Sequence, residues 1–589
     1  MNVFLKQGLF LSDLDIFSRF SEFVTSTVHQ LIADRVLTVN QSVNTDKLVV
    51  ELPRDESHGD LACNAAMVLA KQLNMKPRDL AAILAEKLKQ LDDVAAIDIA
   101  GPGFINITLR SGIWQKELTT ILKADFKYGR SEFGKGQAVN VEFVSANPTG
   151  PLHAAHARGA IFGDALANLL EYCSFEVTRE YYINDAGTQV DILARSVLLR
   201  YREALGEKGI TIPDGLYPGE YLKDVGQALK QRYQDSLTNQ PEDITLPIVR
   251  RFAIEAMMDG IKADLMELGI HMDIFSSEHQ LVVKGRVDEA INTLRKCGLV
   301  YRGVLEPPKG ELPDDWEERE QLLFKSSAFG DDIDRPLQKS DGSWTYFASD
   351  VAYHLDKLQR TGGALINIWG ADHGGYVKRM TAATQALSGQ SNMLDVKLCQ
   401  IVTLLDKGKP VKMSKRAGTF VTLRDVMDNV GADVMRFIML TRRNEQTLEF
   451  DYSKVTEQSR ENPVFYVQYA HARASSVLRQ RDVVQNVEPD LARLDDIHEL
   501  RLIKHLALWP SFVRAAAAMH EPHRIAFYLI DLASLFHGLW NAGRENLALR
   551  FILESDAELT RARLNLVAAT AQVIKTGLHL LSVQAPEKM

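Results

Sequence analysis

No two of the four cysteines, Cys63, Cys173, Cys297 and Cys399, stand in a Cys-x-x-Cys pair. That spacing argues against a cysteine zinc site, and no zinc is expected. Disulfides are not expected either in so large a chain of intracellular type. Long apolar runs are missing as well: none reaches the roughly 18–20 residues that span a bilayer. The opening stretch MNVFLKQGLFLSDLDIFSRF carries Asp13 and Asp15, which makes a poor secretory signal. No membrane partner is therefore expected, and the expected location is the cytoplasm. An excess of positive charge is lacking too. The net charge is -9, so any attraction to a nucleic acid has to come from local basic patches. Repeats and low-complexity tracts are absent.

What is present is an ordinary globular composition, 46% hydrophobic and 25% charged over 589 residues. That length exceeds what one core supports and predicts three or four domains. The expected fold class is multidomain α/β plus all-α. Residues 1–115 read as a small α/β domain. In it LACNAAMVLAKQL (61–73) has helical spacing, and AAIDIAGPGFINITL (95–109) reads as strand, Gly-Pro-Gly turn, strand. Residues 116–405 read as a Rossmann-type parallel-sheet domain, with an insertion at about 190–330. Residues 406–454 form a connecting region, and 455–589 read as a helical bundle without strand alternation.

The Rossmann reading starts at QAVNVEFVSANPTGPLH (137–153), a buried strand and turn. An amphipathic helix is predicted over 155–173 and a second strand over 174–185. ALINIWGADHG (364–374) and VKLCQIVTLL (396–405) are predicted to return as buried strands. His153 and His156 then fall at the carboxyl end of the first strand, where such sheets bind ligands.

Three readings of this histidine pair compete. A zinc-protease site puts histidines four apart with a glutamate between; here the spacing is three, with alanines between. Histidines at i and i+3 share a helix face and can simply be satisfied there as core residues. Alternatively, a helix start offers free N–H groups and a positive dipole end to a phosphate. The turn Pro148-Thr149-Gly150-Pro151 lets backbone approach such a ligand closely.

A second cationic element, DKGKPVKMSKRAGTFVTL (406–423), gathers Lys407, Lys409, Lys412, Lys415 and Arg416 around Gly408 and Gly418. It reads as a solvated basic loop, or as a flexible clamp closing on a polyphosphate, with its lysines stabilising charge on the leaving group.

His-x-x-His after a first strand and Lys412-Met413-Ser414-Lys415 after a late one resemble the two signatures of class I aminoacyl-tRNA synthetases. Several further segments resemble the arginyl-tRNA synthetase family: VEFVSANPTGPLHAAHARGA, YYINDAGTQ (181–189), WTYFASDVAYH (344–354), IWGADHGGY (368–376), NPVFYVQYAHARASSVLR (462–479) and GPGFINITL. The likeness runs from about residue 20 to the end; residues 1–13 look like an extension.

The resemblance implies ATP-driven activation of arginine, with Mg²⁺ on the ATP, followed by transfer to the 2′-hydroxyl of the terminal adenosine of tRNA(Arg). It implies that activation needs bound tRNA, and a monomer is expected. His153, His156, Lys412 and Lys415 would be the catalytic set. Pro148, Thr149, Gly150, Gly370, Asp372, His373, Met413 and Ser414 would join His153, His156 and Lys415 at ATP. Glu142, Asn147, Tyr346 and Asp350 would hold arginine, since a guanidinium wants carboxylates and planar acceptors. From the residues alone, Glu142 could equally be a strand-end acid and Asp350 a helix-start acid. Two departures stand out: Ala155 replaces the glycine of the family's His-x-Gly-His, and Arg416 replaces the serine after Lys-Met-Ser-Lys.

Overall fold

A computed structural model describes the chain apart from residues 1–14, 40–42, 46, 54, 306–318, 412–420, 460 and 481–487. The N-terminal extension (1–13) and the Lys412–Arg416 segment therefore lie outside the described residues.

The centre is a five-stranded, wholly parallel sheet. Its strands are β1 (Ala138–Glu142), β2 (Glu176–Ile183), β3 (Ile274–Ser277), β4 (Ala364–Gly370) and β5 (Leu394–Cys399), in the spatial order β5-β4-β1-β2-β3. From β1 the chain builds outward through β2 to β3, then returns to add β4 and β5 on the other side. The order therefore reverses between β1 and β4, and the crevice beyond their carboxyl ends is the place where such sheets bind ligands. Glu142 ends β1, directly opposite Asn367 of β4.

Helix α1 (Ala154–Tyr172) connects β1 to β2. It was expected to be amphipathic, yet it is buried nearly all round. Even Arg158 and Asp164 are 2% and 3% exposed. Their charges are met inside the protein. Arg158 donates to the carbonyls of Gln400, Arg443 and Gln446, and Asp164 accepts from the buried guanidinium of Arg436. Helix α2 (Tyr346–Thr361) precedes β4; Thr345 caps its start, accepting from the N–H of Ala348, and Gly362 ends it at φ 65°.

Three expectations need correction. Residues 61–63 are strand rather than helix. Leu61 and Cys63 pair with Ile107 and Ile105 in a four-stranded sheet, leaving only Ala65–Leu69 helical. Sheet pairing outweighs a helical spacing too short to nucleate alone. The run 396–405 is two strands in two sheets, Leu394–Cys399 beside β4 and Val402–Asp406 beside Leu448–Asp451. Finally, the span 190–330 is not one excursion, because β3 returns from it to the central sheet.

The other segments follow the pattern read from the sequence. Val94–Ala100 and Phe104–Leu109 form an antiparallel pair around Gly101 and Gly103. Beyond residue 455 the elements are helices, including Pro463–Leu478, Ile497–Ala507, Trp509–Met519, His523–Glu545 and Ala557–Leu580. By length and composition alone, His523–Glu545 could cross a membrane. It serves here as a core helix, burying Ile525, Leu529, Leu532 and Phe536.

Candidate active site

Between β1 and α1 the backbone is strained. Val144 and Ser145 have φ of 69° and 40°, a left-handed conformation that is costly for any side chain and most of all for β-branched valine. The bend is held by its contacts. The Ser145 hydroxyl donates to Glu142 Oε1 at 3.0 Å and accepts from the Tyr182 N–H at 3.1 Å. Tyr181 donates to the Ala146 carbonyl at 2.8 Å. The strain turns the chain sharply off the sheet, so that Glu142 and the Pro-Thr-Gly-Pro turn face one crevice.

On one side of that crevice lies a cavity of about 350 Å³. Glu142, Glu278 and Asp350 line it, together with Tyr346, Tyr376 and His373. Asp350 sits in the second turn of α2, with no helix-start role. Its Oδ2 accepts from the Tyr376 hydroxyl at 2.5 Å. Burial pushes the Asp350 carboxyl up to about 7. The Tyr376 hydrogen bond opposes this, Glu278 and Glu142 add to it, and Lys357 offsets part of it. Glu278 is also raised, first by burial and then by Asp185. Three carboxylates gathered in a small, poorly solvated space favour a ligand that brings positive charge.

On the other side lies a larger cavity of about 1000 Å³, lined by Asn147, Thr149, Gly150, His156 and the loop Ile212–Gly219 with Tyr221. Tyr221 donates to the Thr149 carbonyl at 2.8 Å. A side chain at position 150 would have its Cβ only 3.0 Å from that hydroxyl, so glycine lets the turn and Tyr221 pack together. Asn147 donates to Gln189 at 3.0 Å.

His153 and His156 stack with ring centroids 3.7 Å apart. His153 is the N-cap of α1, and its backbone N–H donates to His156 Nδ1 at 3.2 Å. An accepting Nδ1 places the proton of neutral His156 on Nε2 and makes that atom a hydrogen-bond donor. The positive end of α1 lies beside it, so the start of the helix offers an anion both a dipole and a donor.

The segment after the Lys412–Arg416 stretch is tied to this helix start, and the one before it to the strand Val402–Asp406. Val411 donates to Leu404, Leu423 donates to Leu152 at 2.7 Å, and Thr422 bridges to His153. The chain therefore re-enters the described structure beside His153.

The residues singled out in the sequence divide as follows. Glu142, Tyr346 and Asp350 come together in the smaller cavity, and Gly370 and His373 line it too. Asn147, Thr149, Gly150 and His156 line the larger one. Pro148 is buried, Ala155 is exposed, and Asp372 lies in the exposed turn after β4. Lys412, Met413, Ser414 and Lys415 fall outside the described residues. Sequence reasoning missed Glu278, Tyr376 and Lys357, and it missed the contribution of the 212–221 loop. The Pro-Asp-Gly and Tyr-Pro-Gly turns at 213–219 were the available signal for that loop. Glu278 had none, since it follows a four-residue strand with no alternation to mark it.

Three family models match the chain: the arginyl tRNA synthetase N terminal domain over residues 24–109, the class I (R) tRNA synthetase catalytic domain over 117–474, and the DALR anticodon binding domain over 467–589. An arginine–tRNA ligase from Ruegeria pomeroyi is 55% identical over 98% of this chain and 100% of its own length. One from Azorhizobium caulinodans is 55% identical with the same coverage. In fold, the arginyl-tRNA synthetase of Thermus thermophilus superposes with a TM-score of 0.75 at 22% identity, over 98% of this chain and 100% of that one. Full-length identity at this level, together with a catalytic-domain match over more than half the residues, establishes that the chain belongs to the arginyl-tRNA synthetase family of class I aminoacyl-tRNA ligases.

Proposed function

We propose that the two adjoining cavities are the arginine and ATP sites of an arginine–tRNA ligase. The observation that carries this reading is the convergence of Glu142, Glu278 and Asp350 on one cavity, at the point where the strand order reverses and next to the start of α1. Arginine brings two cations, the guanidinium and the α-ammonium. A planar guanidinium can take two parallel bonds from one carboxylate, which a lysine ammonium cannot. Tyr346 borders the same space, while Asn147 lines the second cavity and, with Tyr346, a small pocket beside it.

ATP, carried as its magnesium complex, would lie over the Pro148-Thr149-Gly150 turn with its phosphates at the start of α1. Arginine's carboxylate attacks the α-phosphate and pyrophosphate leaves. The 2′-hydroxyl of the tRNA's terminal adenosine then attacks the adenylate carbonyl, and AMP leaves. His153 and His156 would stabilise charge developing on phosphate. Lys412 and Lys415, with Met413 and Ser414 between them, would hold the leaving pyrophosphate. Gly370, Asp372 and His373 would border the adenosine, with Gly370 and His373 also facing arginine. Catalysis on this reading is positioning plus electrostatics, with no covalent enzyme intermediate.

The division of labour follows the same reading. Residues 1–115 and 455–589 would hold tRNA, 116–405 would carry the chemistry, and 406–454 would connect the Lys-Met-Ser-Lys segment to it. The enzyme would work as a cytoplasmic monomer; sedimentation equilibrium tests the monomer directly. The test of the assignment as a whole is pyrophosphate exchange assayed with each amino acid in turn, in the presence of tRNA. Exchange confined to arginine supports it, and equal exchange with another amino acid removes it.

A further inference from the structure

Lys357 lies on α2, two turns beyond Asp350, and its side chain is fully buried. Its Nζ donates to Glu142 Oε2 at 2.6 Å and to Asn367 Oδ1 at 2.8 Å, and it sits 4.6 Å from the centre of the Tyr353 ring. Asn367 in turn donates through Nδ2 to His354 Nε2 at 2.9 Å. Burial holds His354 well below its ordinary range, so it stays neutral. Lys357 does not line the carboxylate cavity, whereas Glu142 does. The ammonium stands behind Glu142, out of a ligand's reach.

An ammonium out of water is expensive, and a buried ion pair is often less stable than an apolar pair of the same volume. Stability is thus a weak reason for this pair, and orientation is a stronger one. Glu142 is gripped at both oxygens, Oε2 by Lys357 and Oε1 by Ser145. Each carboxylate oxygen can accept more than one hydrogen bond, so each retains capacity toward the cavity. One lysine behind three lining carboxylates leaves the surplus of acidic groups on the cavity side, which suits the two cations of arginine. On the sheet side the neighbouring buried carboxylate, Glu180, is met separately by Arg360 at 2.7 Å and by Ser276 at 2.5 Å.

We infer that Lys357 is a positioning residue for substrate binding: it holds the Glu142 carboxylate aimed into the cavity beside Asp350 and Glu278, without itself touching arginine. This rests on the reading of Glu142 as an arginine ligand. Without Lys357, Glu142 Oε2 loses its charge-assisted donor, and only the Ser145 hydroxyl on Oε1 still fixes the direction of the carboxylate.

The test uses the full-length enzyme in tRNA-dependent pyrophosphate exchange, with arginine and ATP varied separately. Lys357→Met is expected to raise the arginine KM roughly 10–100-fold, the scale of losing a charge-assisted contact, and to leave the ATP KM within about threefold. Lys357→Arg, which keeps the cation, should recover most of the loss. Glu142→Gln should match Lys357→Met. The double variant leaves no unpaired buried charge and should be no worse than Glu142→Gln alone, which is the non-additivity of a coupled pair. If Lys357→Met does not fold, the comparison of the double variant with Glu142→Gln carries the test.

Arginine and ATP KM rising together, or a double variant more than about tenfold worse than Glu142→Gln, would mean a general structural role and overturn the inference. An impaired Glu142→Gln beside a normal Lys357→Met would overturn the inference alone. A normal Glu142→Gln would remove the reading of Glu142, and the inference with it.

Discussion

Tyr376 donates its hydroxyl to Asp350 Oδ2 at 2.5 Å, and both residues line the carboxylate cavity. The tyrosine ends the turn that follows β4, and the aspartate lies on the helix that precedes it. The bond therefore spans the strand and fixes the direction in which the carboxylate presents its remaining lone pairs. Asp350→Asn keeps the shape and removes the charge. It is expected to lower arginine kcat/KM by roughly 10²–10³, the scale of a lost charged contact in a buried site, while ATP affinity hardly moves. Steady-state aminoacylation with arginine and ATP varied separately measures both. An arginine kcat/KM within about threefold of wild type would return Asp350 to a structural role.

The same residue sets an expectation for pH. Its carboxyl is raised to about 7, chiefly by burial, and on the proposed assignment it binds arginine in its charged form. Arginine kcat/KM, which reports the free enzyme, should fall as pH drops through about 7 and level off above it. Asp350→Asn should flatten that limb. A wild-type profile flat between pH 8 and pH 6 would contradict the assignment.

At the start of α1, replacing His156 by alanine removes the Nε2–H donor but leaves the helix dipole in place. The expected outcome is an activation rate lower by roughly 10²–10³, the cost of one transition-state donor. On the proposed reading of Lys415 as a pyrophosphate ligand, Lys415→Ala should lower the rate to a similar extent. Pre-steady-state adenylate formation is the measurement. In both variants arginine affinity should stay near wild type; weakened arginine binding with normal turnover would place either residue in the wrong cavity.

Ala155, the departure from His-x-Gly-His, is exposed on the first turn of α1. Its methyl fills no packed space there, so Ala155→Gly should change the ATP KM by less than about threefold. Titration of ATP in pyrophosphate exchange decides this, and a tenfold gain in the variant would show that the methyl obstructs the nucleotide.

Activation should require tRNA. Exchange with arginine and ATP alone is expected near background and clear once cognate tRNA is present; equal rates in both conditions would refute the dependence. Phosphate contacts dominate such complexes, so tRNA affinity should fall steeply with salt despite the net charge of -9.

The parts legible in the sequence were those with local signals. The strand, turn and helix around His153 carry periodicity and turn residues, and so does the hairpin around Gly101 and Gly103. The split of 396–405 into two sheets had no such mark. Both halves are apolar, and only their partners, β4 in one case and Leu448–Asp451 in the other, separate them. Helix α2 shows the same limit at the site. Asp350, Tyr353, His354, Lys357 and Arg360 recur at helical spacing as a polar stripe, which ordinarily faces water. Here it faces the sheet, because Glu142, Asn367 and Glu180 lie side by side on neighbouring strands and pair with it. Those partners come from three strands far apart in the chain, so only the fold reveals the network.

Substrate choice by charge and plane is the central claim, and charging with each substrate separately measures it most directly. The full-length enzyme would be given cognate tRNA, ATP and, in turn, arginine, lysine and citrulline. Lysine keeps a charge as a point donor; citrulline keeps the planar shape and loses the charge. Arginine kcat/KM is expected to exceed both by at least about 10³, the discrimination reached when a site's buried polar groups would otherwise be left unpaired. Citrulline charged within about tenfold of arginine would contradict the account, since the three carboxylates would then not be what selects the substrate.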